Sequence, residues 1–117
     1  MENRVEFYCQ CTKQLLSDYV THSSVCDEIV PIFDDQRRQY LLLQMGWHDE
    51  RRIHYPLIHI EITDEMIVIQ ANNTEELLDD ELMALGVPKS RIRFGFLPAY
   101  TWPYIEEQNV EAILEPA

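Results

Sequence analysis

Between Arg38 and Ala71, apolar side chains fall at alternate positions in three successive runs separated only by short polar segments. A period of two is that of a β-strand, whose successive side chains point to opposite faces. Strands are therefore predicted over 38–47, 51–62 and 66–71. In the first, Leu41, Leu43, Met45 and Trp47 share one side, and Arg38, Tyr40, Leu42 and Gln44 the other, so both faces carry apolar groups. In the second, Ile58, Ile60 and Ile62 oppose Leu57, His59 and Glu61. Connections such as Gly46-Trp47-His48-Asp49-Glu50 and Thr63-Asp64-Glu65 leave room for a hairpin but not a crossover, which dictates antiparallel neighbours. A shorter run, Ile29 to Phe33, precedes them, and Asp34-Asp35-Gln36 is the turn after it; Pro31 has no N–H to donate and confines that strand to a sheet edge or a bulge.

Helical spacing flanks this β region. Val5, Tyr8, Cys9, Thr12, Leu16 and Tyr19 recur on one face of a helix over about 2–20. A second helix is predicted near 74–85, with Asn73 or Thr74 able to accept from its orphan N–H groups and Glu75 and Glu76 at the positive end of its dipole. Leu78, Leu82 and Leu85 would face the sheet, while Asp79, Asp80 and Glu81 make the outer face acidic. Gly86 suits the left-handed position past the helix end, and Pro88 stops propagation. Ile92 to Phe96 reads as a last short strand, followed by a Pro-containing aromatic segment and a turn of helix at 110–114. The expected fold is α+β: an antiparallel meander of four to five strands with an N-terminal helix and a second helix near 74–85. One domain spans 1–117, with 97–117 as a C-terminal aromatic and acidic extension. At 117 residues the chain is large enough for a core that needs no metal or disulfide staple.

Nine Lys/Arg against 21 Asp/Glu give a formal net charge of −12, and no basic residue lies between Phe94 and Ala117. Duplex DNA is gripped by cations that neutralise phosphates, so direct nucleic-acid binding is not expected and a basic partner is. An acidic surface also serves solubility alone, and composition does not separate the two. Three cysteines, Cys9, Cys11 and Cys26, and a start lacking a secretory pattern lead us to expect a reducing, cytoplasmic location. No apolar run approaches the length of a membrane-spanning helix.

The chemistry-bearing residues are sparse. Three scattered glycines, Gly46, Gly86 and Gly95, do not build a phosphate loop, and the common hydrolase, zincin and Cys-x-x-Cys signatures are absent. Cys9 and Cys11 lie about 200° apart around a helix and cannot share a metal; the period makes Cys9 core and Cys11 surface. His22 and Cys26 offer two ligands without a third. His59 and Glu61 are same-face neighbours two apart on a strand, the best acid–base pair and the basis of a rival reading as a metal-assisted phosphodiesterase; half-solvated strands show the same alternation. Arg51, Arg52, Arg91 and Arg93 would form a basic spot if brought together. Tyr100, Trp102 and Tyr104 alternate, so an extended segment projects all three to one side, as an interface anchor or as a flap over the chain's own core. We expect no catalytic residue, metal or cofactor. Glu75, Glu76, Asp79, Asp80, Tyr100, Trp102 and Tyr104 are the candidate partner-binding residues. The strand edge near Pro31 and the aromatic segment are each able to build a symmetric homodimer.

Several segments together resemble one family. They are Tyr40-Leu41-Leu42-Leu43-Gln44-Met45-Gly46-Trp47, Arg51-Arg52-Ile53, His59-Ile60-Glu61-Ile62, Ile67-Val68-Ile69-Gln70 and Asn73-Thr74-Glu75, continuing through Glu81-Leu82 and Leu85-Gly86-Val87-Pro88-Lys89 to Ile92 and Gly95-Phe96. In this order, over about 5–96, they resemble the XisI-like proteins, named for the fdxN-element excision controlling factor of cyanobacteria. The resemblance implies a small α+β protein that is not itself a recombinase. It implies an accessory role in site-specific excision of a DNA element during heterocyst differentiation, with a nuclease-like XisH-type partner. Where the family usually runs Phe-His-Pro-Pro with an Arg shortly beyond, this chain has Phe96-Leu97-Pro98-Ala99, and Trp102 near the Arg position. Any site served by that His and Arg in relatives is missing here.

Overall fold

The computed structural model describes residues 4–23 and 28–98. Helix α1 (Arg4–His22) leads into strands β1 (Glu28–Asp34), β2 (Gln39–His48), β3 (Arg51–Ile62) and β4 (Ile67–Asn72). Helix α2 (Leu78–Ala84), a single 3₁₀ turn (Lys89–Arg91) and strand β5 (Ile92–Phe94) follow. The five strands lie in the sheet in chain order. The first three pairings are antiparallel and β5 joins β4 in parallel, so the sheet is mixed rather than a pure meander. The reason is the connection: α2 carries the chain back along the sheet before β5 begins, and a crossover of this length returns a strand in the same direction as the one it left. β5 also stops at Phe94, two residues short of the predicted end.

Local chemistry fixes the turns. After β1, the Asp34 carboxylate accepts from the backbone N–H groups of Gln36 and Arg37, each at 3.0 Å, and Arg38 takes the left-handed conformation at φ 56°. The β2–β3 turn is Asp49-Glu50 alone, tighter than predicted, with Asp49 at φ 58°. Between β3 and β4 the Thr63 hydroxyl accepts from Met66 N–H at 2.9 Å, and Glu65 receives both Arg4 (3.1 Å) and Arg91 (2.8 Å).

One face of the sheet packs against the helices. Tyr8, Leu15 and Leu16 of α1, Tyr40 and Leu42 of β2, Ile58, Ile60 and Ile62 of β3, Ile67 and Ile69 of β4, and Leu78 and Leu82 of α2 form a single buried cluster. Register explains which face of β2 turns inward. Leu42 lies opposite Ile58 and Tyr40 opposite Ile60, and directly opposed residues share a face. The Tyr40, Leu42 and Gln44 side is therefore the core side, leaving Leu41, Leu43 and Met45 half-buried on the open face. A bulge between Leu42 and Leu43 shifts the register, and Leu57 beside Ile58 becomes buried as well.

Three further expectations are corrected. Cys11 is buried and Cys9 only partly so, the reverse of the sequence reading, because Leu15 and Leu16 set the middle of the inward stripe and move Cys9 to its margin. The Cys11 Sγ faces the Leu85 carbonyl at 3.8 Å, and desolvation pushes its thiol pKa up. Helix α2 begins four residues later than predicted, with Leu77 at its N-cap and no side-chain cap. The polar residues meant to cap it are used elsewhere. Asn72 Oδ1 accepts from Thr74 N–H and Oγ1, Thr74 Oγ1 accepts from Glu76 N–H, and Asn73 donates its backbone and side-chain N–H groups to the Leu57 and Pro56 carbonyls. Leu85 is 38% exposed instead of facing the sheet, because the helix ends at Ala84 and the chain turns at Gly86, φ +107°. The predicted terminal helix at 110–114 lies outside the described residues, as does Cys26.

Candidate functional site

The acidic residues singled out in sequence lie in α2 and in the turn just before it. Asp79, Asp80 and Glu81 occupy the first turn of α2, where the helix dipole stabilises negative charge, and no basic residue follows in its last turn. Glu75 and Glu76 lie in the turn before it rather than in the helix itself. The Glu81 carboxyl is pushed above its ordinary range, first by desolvation and then by hydrogen bonding to Glu76 and by the negative charges of Glu76 and Asp18. That shift marks a surface on which like charges meet. The aromatic candidates Tyr100, Trp102 and Tyr104 fall outside the described residues.

The rival acid–base pair is not assembled. His59 Nε2 is hydrogen-bonded to Gln39 Oε1 at 2.7 Å, and Glu61 Oε1 accepts from Gln70 Nε2 at 2.8 Å. Both side chains are half-buried on the open face, each held by an amide across a strand. Among the described residues, no group of three or more His, Cys, Asp or Glu is placed to hold a metal ion. The four arginines do not converge either. Arg93 sits across from Val68, which pairs with Glu61, whereas Arg51 and Arg52 lie at the far end of β3, roughly 30 Å along the strand.

A feature the sequence reading missed stands at that far end. β4 pairs with β3 only from Ile58 onward, and among the described residues β1 pairs with β2 only as far as Met45. Among the described residues the tip of the β2–β3 hairpin is thus a two-stranded arm. It carries Trp47, 62% exposed, with the Arg52 guanidinium 5.4 Å from its ring centroid. The signal was present in the lengths: two alternating runs of ten and twelve residues flank a two-residue turn, beside neighbours of seven and six.

The polar contacts also sort the cations. Arg4, Lys13, Arg37, Arg38 and Arg91 each meet a carboxylate, at 2.7–3.1 Å. Arg51, Arg52 and Lys89 meet none among the described residues. Neither described helix is long and apolar enough to cross a membrane.

Comparison with known proteins agrees with the resemblance seen in sequence. A XisI-like protein from Anabaena variabilis ATCC 29413 is 30% identical and superposes with a TM-score of 0.82, over 86% of this chain and 94% of its own. The fdxN element excision controlling factor XisI of the same organism is 26% identical, with a TM-score of 0.73 over 87% of this chain and 95% of its own. No curated protein matches. The model of the XisI protein family matches residues 1–107. The chain belongs to the XisI family.

Proposed function

We propose that this chain is a non-catalytic accessory factor for site-specific excision of a DNA element, acting by binding a nuclease-like XisH-type protein. The observation that carries this reading is family membership together with similarity to a protein named as an excision controlling factor. The charge distribution supports a protein partner over a direct grip on DNA. With a net charge of −12 the molecule repels phosphate at long range, and most of its arginines are already neutralised by its own carboxylates. Among the described residues Glu75, Glu76, Asp79 and Asp80 pair with no Lys or Arg, which leaves their charge to a basic partner. In this reading Tyr100, Trp102 and Tyr104 add aromatic anchors to the same contact, and the complex works in the cytoplasm, where the DNA is.

Capture of a purified XisH-type protein from the same organism by the immobilised chain tests the proposal. Wild type should retain it, and Asp79→Lys with Asp80→Lys should weaken retention by about tenfold, since each exposed charge pair contributes a few tenths to one kcal/mol and reversal adds repulsion. Equal capture by both would remove the acidic surface from the model. No capture by wild type would remove the partner.

A further inference from the structure

The face of the sheet turned away from the helices is more apolar than a solvated face usually is. Half-solvated antiparallel strands alternate apolar and polar side chains, yet β2 presents Leu41, Leu43, Met45 and Trp47 on its open side. Neighbouring strands extend the patch. Leu41 lies opposite Ile32 of β1 and His59 of β3, and Leu43 opposite Val30 and Pro56. Ile32 is 42% exposed, and the buried residues of α1 and α2 all belong to the other face. A contiguous apolar patch of this kind marks an interaction surface.

The described chain ends beside this face. Gly95 N–H donates to the Ile69 carbonyl at 2.8 Å, and Leu97 N–H closes a turn on the Phe94 carbonyl at 3.1 Å, so the chain bends away at the end of β5. Gly95 sits on the open side: a Cβ there would meet Gln70 and Val68, and Val68, opposite Glu61, is only 9% exposed without belonging to the helix-side cluster. Register sets the height of the turn. Ile69 lies opposite Ile60 and Ile60 opposite Tyr40, so Gly95 is level with Tyr40 and Leu41. From β5 to β2 is three strand spacings, about 14 Å, and the four residues from Pro98 to Trp102 reach about 13 Å when extended.

The sequence beyond Pro98 has the chemistry for that face. No residue from Phe94 to Ile105 is charged, in a chain where 26% are, and Pro98 and Pro103 disfavour a helix. We propose that residues 99–105 cross the open face of their own sheet and lay Tyr100, Trp102 and Tyr104 on Leu41, Leu43 and Met45. The occupant follows from position and charge. The segment is tethered level with the patch and meets it at an effective concentration in the millimolar range. A second copy instead brings a net charge of −12 against −12. The helix-side face offers no alternative, because α1 and α2 fill it. Glu106 and Glu107 follow directly and end the uncharged stretch.

The arrangement is that of the free chain, and a partner that takes the same aromatics has first to displace the segment. Thermal unfolding of the purified full chain, without any XisH-type protein, tests it separately from the proposed function. Trp102→Ala should lower Tm by about 5 °C or more. In a Leu43→Ala background the same substitution should cost about half as much, because part of its contact is already gone. Both losses should be constant over about a hundredfold range of protein concentration, as an intramolecular contact requires. An unchanged Tm for Trp102→Ala, or an equal loss in both backgrounds, would overturn the proposal, since the segment would then lie off this face. A loss that varies with protein concentration would overturn it too, by making a second copy the occupant.

Discussion

Replacing Tyr40 by Phe isolates one buried polar contact and predicts its effect in two pH regimes. Tyr40 is fully buried at 0% exposure, and its hydroxyl donates to Asp35 Oδ1 at 2.6 Å. Hydrogen bonds to charged acceptors contribute about 1.5–3 kcal/mol. Asp35 is solvent-exposed and keeps Lys13 at 3.1 Å, so water and the ammonium take up the vacated lone pair and the carboxylate is not stranded. Phe leaves the ring packing unchanged and adds no ring-sized cavity. The expected loss is therefore about 1–2 kcal/mol, or about 5–15 °C in Tm for a domain of this size. The pH dependence follows from the same contact. Desolvation first, and then the hydrogen bond to Asp35, holds the Tyr40 pKa well above its ordinary 10.0. Below that value the phenol is protonated in both folded and unfolded chains, and its contribution is fully present. As pH rises past it, the unfolded chain ionises while the folded one does not, and stability falls. Tyr40→Phe should make that alkaline loss shallower, though not abolish it, because the Tyr19 phenol is raised as well. Urea unfolding followed by far-UV circular dichroism, at neutral pH and just above pH 10, measures both effects. A variant within about 0.3 kcal/mol of wild type at neutral pH, or one with an unchanged alkaline slope, would refute the reasoning.

Two further outcomes are expected. Thr12→Val should raise stability by about 1 kcal/mol in the same denaturation assay, because the Thr12 hydroxyl is fully buried without a hydrogen-bond partner among the described residues and Val keeps its shape. Gly95→Ala should cost about 1–2 kcal/mol: a Cβ there overlaps the Gln70 amide, which must swing away from Glu61, and also crowds Val68. With Gln70→Ala already present, the same substitution should cost measurably less, a non-additivity that a double-mutant cycle reads directly.

Periodicity alone determined much of this protein. Alternation over 38–71, unbroken by any segment long enough for a crossover, left only antiparallel neighbours for the central strands. Pro31 forced β1 to the edge, where the sheet order places it. Gly86 marked the end of α2 through its need for positive φ. These are local properties: a missing N–H, a missing Cβ and a side-chain period act within a few residues wherever the chain goes. What each face touches is not local. Leu41, Leu43 and Met45 are as apolar as Tyr40, Leu42 and Gln44, and only pairing with Ile58 and Ile60 of β3 turned the second set inward. Asn73 and Thr74 have the composition of a helix cap, but Asn73 found carbonyls of β3 to bond and the helix began beyond them. The arm was hidden for the same reason. Trp47 and Arg52 are two ordinary members of alternating strands until the register shows that, among the described residues, the pairing on either side stops short of them. Sequence sets the period of each element, whereas the face that is buried and the edge left free depend on contacts between residues far apart in the chain, and those exist only in the folded molecule.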